Sequence, residues 1–135
     1  DKIQRHLEAY GYTVIQIGKG GHEVCGIEIN TPSVGYMKFL IAGCDLFIGI
    51  DSAPAGIAVA YNKPCILFFG SVNPDYIHPD LTGVHVIQQK CVNQNCWHIE
   101  GGTNGVPCIF DEQKPPCCIS STEEVIDAIN LFHKR

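Results

Sequence analysis

Two almost uninterrupted apolar runs, "DLFIGI" (residues 45–50) and "PCILFFG" (residues 64–70), flank a segment of mostly small residues. A strand that shows one face to water alternates apolar with polar side chains. A strand covered on both faces does not, and such strands belong to parallel sheets with helices on either side. The intervening segment reads as a helix over 54–61, with Asn62 as its C-terminal stop. A strand, a helix and a second strand make a βαβ unit, whose crossover is almost always right-handed.

The flanking sequence keeps the alternation. "KIQRHLEAY" is amphipathic, with Ile3, Leu7 and Tyr10 at helical spacing; Gly11 closes it, and "YTVIQIG" is a short β-branched run. "KGGHE" reads as a loop and "CGIEIN" as a short strand. "TPSVGYMKFLIAGC" then predicts a helix with Thr31 as its cap, Pro32 in the first turn and Val34, Met37, Phe39, Leu40 and Ile41 as apolar positions. The expected fold is therefore α/β, a Rossmann-like parallel sheet flanked by helices. With 135 residues and 45% apolar content the chain can bury one core, so a single domain over 1–135 is expected. It starts at Asp1, inside what reads as a helix, which predicts an excised piece of a longer protein. No segment approaches the roughly 20 apolar residues of a membrane span, and no basic stretch precedes an apolar one. A formal charge of -5 argues against a nucleic-acid partner.

The small-residue segment has a mechanical reading. The chain leaves a buried strand at Ile50 and turns through Asp51, Ser52 and Ala53 into a helix whose Pro54 gives up no needed N–H. Such a turn aims backbone N–H groups outward at the carboxyl end of the sheet, where open α/β sheets bind ligands and where helix N-termini receive phosphate. Ala53, Ala55 and Gly56 leave the approach open. An ionised Asp51 is a poor phosphate contact, so it is assigned to capping the turn and Ser52 to donating its hydroxyl to the ligand. Capping alone, by both residues and with no ligand, is the competing reading.

"AGCDLFIGIDSAPAGIAVAYNKPCILFFGSVNPDYIHP" resembles the central signature of glycosyltransferase family nine, the heptosyltransferases that use ADP-heptose. Its usual form is a strand, D-[ST]-G-P-x-H-x-A-A-A, K-P, a second strand and F-G-x-T-x-P. "GYTVIQIGKGGHE" and "CVNQNCW…PCIFDEQKPPCCISSTEEVIDAI" are similar to flanking parts of the family pattern. The resemblance implies the C-terminal, donor-binding half of a GT-B fold, the N-terminal acceptor domain being absent. It implies that Asp51, Ser52, Ala53 and Pro54 hold the donor diphosphate, that Glu23 sits near the ribose, and that Thr31 and Pro32 line the adenine pocket. Ala53 stands where the family has glycine, and Gly56 where it has a phosphate- or sugar-binding histidine. The implied reaction is an inverting transfer of heptose or a related sugar from an ADP-linked donor to a lipopolysaccharide or protein hydroxyl, in the cytoplasm and with no cofactor needed for transfer. The catalytic base would lie on the missing domain, through which the protein would be membrane-peripheral. A non-catalytic nucleotide-sugar binding or assembly module is the alternative, favoured by Gly56; a different nucleotide-cofactor fold lacks its G-x-G-x-x-G fingerprint.

Of eight cysteines, Cys25, Cys44 and Cys65 fall in or beside apolar segments and are expected to be small buried hydrophobes. The other five lie in a Gly-, Pro- and Asn-rich loop over 91–118, too poor in apolar residues to order itself. Cys91, Cys96, Cys108 and Cys117 could hold a structural Zn or Fe, leaving Cys118 against a closing helix over about 121–133; disulfides or free thiols are the competing readings. The resemblance adds that some protein heptosyltransferases carry an iron-binding cysteine finger here. His98 is a substitute ligand or a solvated side chain. Trp97 is expected to plug the loop onto the domain, His22 to be an exposed loop residue, and Asp75, Tyr76 and His78 to face the acceptor side.

Overall fold

The structure, a computed structural model, describes residues 2–18, 25–78, 80–98, 108, 115–118 and 120–133. Its elements run α1 (Lys2–Ala9), β1 (Ile15–Ile17), β2 (Ile27–Ile29), α2 (Val34–Ala42), β3 (Phe47–Ile50), α3 (Ala53–Ala60), β4 (Cys65–Phe68), α4 (Pro74–Ile77), β5 (Val84–Ile87) and α5 (Thr122–His133). Short 3-10 turns occupy Cys96–His98 and Pro116–Cys118. Among the described residues every strand pairing is parallel, in two ladders, β1-β2 and β3-β4-β5. This is the expected α/β, Rossmann-like architecture. β5 had no counterpart in the sequence reading.

Alternation along β4 builds the two layers. Ile66 and Phe68 point into a cluster with Leu7, Ile87, Val125 and Ile129, so α1 and α5 cover that face. Cys65, Leu67 and the following Phe69 point into a second cluster with Ile41, Ala55 and Ala58, covered by α2 and α3. Ile66 and Leu67 are fully buried, and truncating either to alanine would cost about 2–5 kcal/mol. Val14 and Ile48 share the first cluster while Ile17 and Phe47 share the second, so both ladders serve the same two cores. A cavity of about 270 Å³ is lined by residues of both ladders, among them Val14, Gln16, Leu46 and Ile48.

The helix boundaries correct one expectation. Ser33, not Thr31, caps α2: its Oγ accepts the Tyr36 N–H at 3.2 Å, and Pro32 precedes the helix instead of opening it. Ser33 sits three residues before the amide it caps, which is the spacing that capping requires. α3 runs within one residue of expectation, and Asn62 ends it in the left-handed region at φ 53°.

Gly26 is fixed by its surroundings. It lies at φ +75°, and a Cβ there would run into the Val14 backbone carbonyl, the same group that accepts the Ile27 N–H at 2.9 Å and starts the β1-β2 ladder. Gly26→Ala should lower stability by more than the roughly 1–2 kcal/mol that left-handed backbone alone costs an L-residue. Urea denaturation checks this; an unchanged midpoint would contradict it.

Candidate functional site

β3, β4 and β5 are parallel, so their carboxyl ends open on one edge of the sheet. There a cleft of about 350 Å³ is lined by Ile50 and Asp51 after β3, by Phe68 to Val72 at the end of β4, by Ile87 and Gln89 at β5, and by Cys117, Cys118 and Ser120. Its wall is mostly apolar. This is the position at which open parallel sheets bind ligands.

The turn into α3 borders the cleft and is left uncapped. Ser52 is the N-cap residue, yet its hydroxyl donates to the Ile50 carbonyl at 2.9 Å and caps no amide. α2, α4 and α5 differ: Ser33, Asn73 and Ser121 each accept a first-turn N–H, at 3.2, 3.0 and 3.1 Å. In α3, Pro54 has no N–H, and the Gly56 N–H goes to the Ser52 carbonyl at 3.0 Å. The Ala53 and Ala55 amides therefore have no side-chain cap, and together with the helix dipole they favour an anion there. Two assigned roles change. Asp51 does not cap the turn, and the single Ser52 O–H is already engaged in closing it, so backbone amides are the donors that remain.

Asp51 instead faces His78. Its Oδ1 lies 3.9 Å from His78 Nε2, while its backbone N–H donates to the Phe68 carbonyl at 3.2 Å. His78 follows the single turn of α4, is buried, and meets the Phe69 ring edge-on at 6.0 Å. Asp75 and Tyr76 are exposed, whereas His78 turns inward. One helical turn carries no periodicity that could have marked it.

Of the residues named from sequence, Asp51 lines the cleft and Ser52, Ala53, Pro54 and Gly56 follow it through the adjoining turn. A Cβ on Gly56 would meet nothing within 4 Å, so the site has room for a side chain at that position. Thr31, half-buried, and Pro32, exposed, precede α2 and do not line the cleft. Glu23 and His22 lie outside the described residues.

The cysteines arrange differently from expectation. Cys65 is buried, its thiol donating to the Lys63 carbonyl at 3.1 Å, and burial followed by the Cys44 charge pushes it up to about 11. Cys25 and Cys44 are half-buried instead of buried, and burial also raises Cys44. Among the described residues, which include all eight cysteines, no disulfide forms and no three metal-ligating side chains gather as a metal site requires. Cys91, Cys96, Cys108 and Cys117 are not gathered into such a group as placed. Cys117 pairs with its neighbour, Sγ to Sγ 3.9 Å, and the Cys118 thiol sits where a Gly70 Cβ would collide with it.

Hydrogen bonds tie down the start of the loop. The Gln88 side-chain amide donates to the Gly70 and Val72 carbonyls at 2.7 and 2.9 Å, and the Trp97 N–H donates to the Ser71 carbonyl at 3.1 Å. The Trp97 ring is 43% exposed, and its backbone N–H makes the attachment. Burial, then the Cys118 hydrogen bond and charge, push the Cys117 thiol up to about 11. Because the thiolate is the nucleophile, Cys117 should alkylate at pH 8 about tenfold or more slower than an ordinary cysteine of pKa near 8.5, accelerating as pH rises toward 11. Peptide mapping after timed iodoacetamide exposure reads this directly.

Residues 32–102 match the model of glycosyltransferase family 9 (heptosyltransferase), just over half of the chain. The matched stretch holds α3, β3, β4 and β5, and with them all of the cleft lining except Cys117, Cys118 and Ser120. A lipopolysaccharide heptosyltransferase 3 of Escherichia coli is 42% identical over 52 residues, which are 38% of this chain and 14% of that relative. No solved structure matches the chain. Among the described residues no helix is long and apolar enough to cross a membrane. With a parallel sheet, a cleft at its carboxyl edge and the family's sequence running through both, the chain belongs to glycosyltransferase family 9 (heptosyltransferase).

Proposed function

We propose that this chain is the donor-binding part of a glycosyltransferase, holding an ADP-linked heptose or related sugar by its diphosphate. The observation that carries the reading is the uncapped N-terminus of α3 at the rim of a mostly apolar cleft. The Ala53 and Ala55 amides would receive phosphate oxygens, and the apolar wall from Phe68 to Val72 would cover the less polar parts of the donor.

In the transfer, the acceptor hydroxyl attacks the sugar carbon bonded to the diphosphate. A new glycosidic C–O bond forms, the bond to phosphate breaks, and ADP leaves with inversion. A base must take the hydroxyl proton, and donors must stabilise the charge that builds on the leaving diphosphate. This chain contributes to the second task. The base and further cationic groups would come from an N-terminal domain that closes the cleft from the other side, with a lipopolysaccharide or protein as acceptor and the cytoplasm as the place of reaction.

Ala53→Asp separates ligand binding from folding. A carboxylate at the first helical position satisfies the dipole, which stabilises by about 0.3–1 kcal/mol, and competes with phosphate for the same amides. The variant should keep or raise its melting temperature while its ADP affinity falls at least about tenfold. Calorimetric titration with ADP beside a thermal melt tests it; unchanged affinity would remove the α3 turn from the site.

A further inference from the structure

His78 carries a polar atom that the rest of the structure leaves unsatisfied. The residue is 7% exposed, and its Nε2 is shielded from solvent with no hydrogen-bond partner among the described residues. A buried donor or acceptor in that condition costs free energy until something supplies a partner. Facing it is Asp51 Oδ1 at 3.9 Å, roughly an ångström longer than an ordinary N–H···O hydrogen bond. Asp51 lines the cleft at the turn where the α3 amides are uncapped. A lone carboxylate there opposes an anionic ligand, because it repels phosphate and is drawn to the same amides. An imidazolium behind the carboxylate relieves both effects, pulling it back and cancelling its charge.

We infer that His78 is a positioning residue of the diphosphate site: when a diphosphate docks at the N-terminus of α3, the imidazole takes a proton from solvent and draws the Asp51 carboxylate onto Nε2. This rests on the donor reading above. Among the described residues, the groups facing the imidazole are Asp51 from the β3–α3 turn and the Phe69 ring from the end of β4. On α4 itself Asp75 and Tyr76 are exposed, and across the cleft stand the Cys117 and Cys118 thiols.

The coupling has a definite sign. With ligand bound, the imidazole holds its proton more firmly than without, so the extra affinity is complete below the free-state titration. It is lost as pH rises through the bound-state titration. The terminal phosphate of ADP works in the opposite direction, gaining charge as pH rises through about 6. Variants that cannot titrate supply the baseline.

The test is calorimetric titration of the chain with ADP near pH 7 in buffers of different ionisation enthalpy, which counts protons taken up on binding. The wild type should take up more protons than His78→Gln. Asp51→Asn should abolish the same difference. His78→Gln can still donate to Asp51, so it should retain more affinity than His78→Phe. A purely structural His78 would lose affinity in both variants and leave the proton count unchanged. ADP binding with equal proton counts in wild type and His78→Gln overturns the role of His78 and leaves the donor reading standing. No ADP binding by the wild type overturns both. If His78→Gln does not fold, NMR titration of the wild-type imidazole decides: an upward move on adding ADP supports the inference, and no move refutes it.

Discussion

Because β4 hydrogen-bonds to β3 on one side and β5 on the other, its side chains can reach only the two layers of helices above and below. Every residue from Cys65 to Leu67 is buried, and alternation sends each neighbour to the opposite core. That single strand fixes the level at which the layers sit and the edge at which all three carboxyl ends emerge. The cleft follows from it, since Phe68 to Val72 form the wall where β4 runs out of partners. The site is the end of the core.

What distinguishes the α3 turn from the other helix starts is the use of one hydroxyl. Ser52 has the residue type and position of a cap, and a serine there ordinarily accepts a first-turn amide. Here the extended backbone at φ -171° lets Oγ reach back to the Ile50 carbonyl, so it closes the strand-to-helix turn and leaves the amides to others. Losing a cap costs about 0.5–2 kcal/mol. Three other helix starts in the same chain keep such a cap, and the one beside the cleft forgoes it, which is the feature on which the donor-binding proposal rests.

Much of the fold was legible because the apolar runs of β3 and β4 are dense and the small residues between them permit little but a helix. The position of Asp51 at the cleft was legible too, since strand ends and helix starts share the few residues that join them. Its partner was not. His78 lies 27 residues further along, after a single helical turn, and it meets the buried Phe69 ring only once the chain has folded. β5 was missed because His85 interrupts a four-residue strand whose pairing is with β4 alone. Thr31 misled because it and Ser33 are both capping types separated by a proline, and composition does not say which of the two meets an amide three residues on.

The cysteine-rich segment shows how a stretch without a core of its own can still be held. Its first part is attached through backbone carbonyls at the end of β4: Gln88 reaches Gly70 and Val72, and Trp97 reaches Ser71. Its later part returns to the same place, where the absence of a side chain on Gly70 admits the Cys118 thiol. Both attachments depend on carbonyls and space that exist only because β4 has ended and its ladder has stopped consuming backbone groups. The strand that organises the two cores therefore also organises this segment. The cleft wall combines residues far apart in sequence, Phe69 and Cys118 among them.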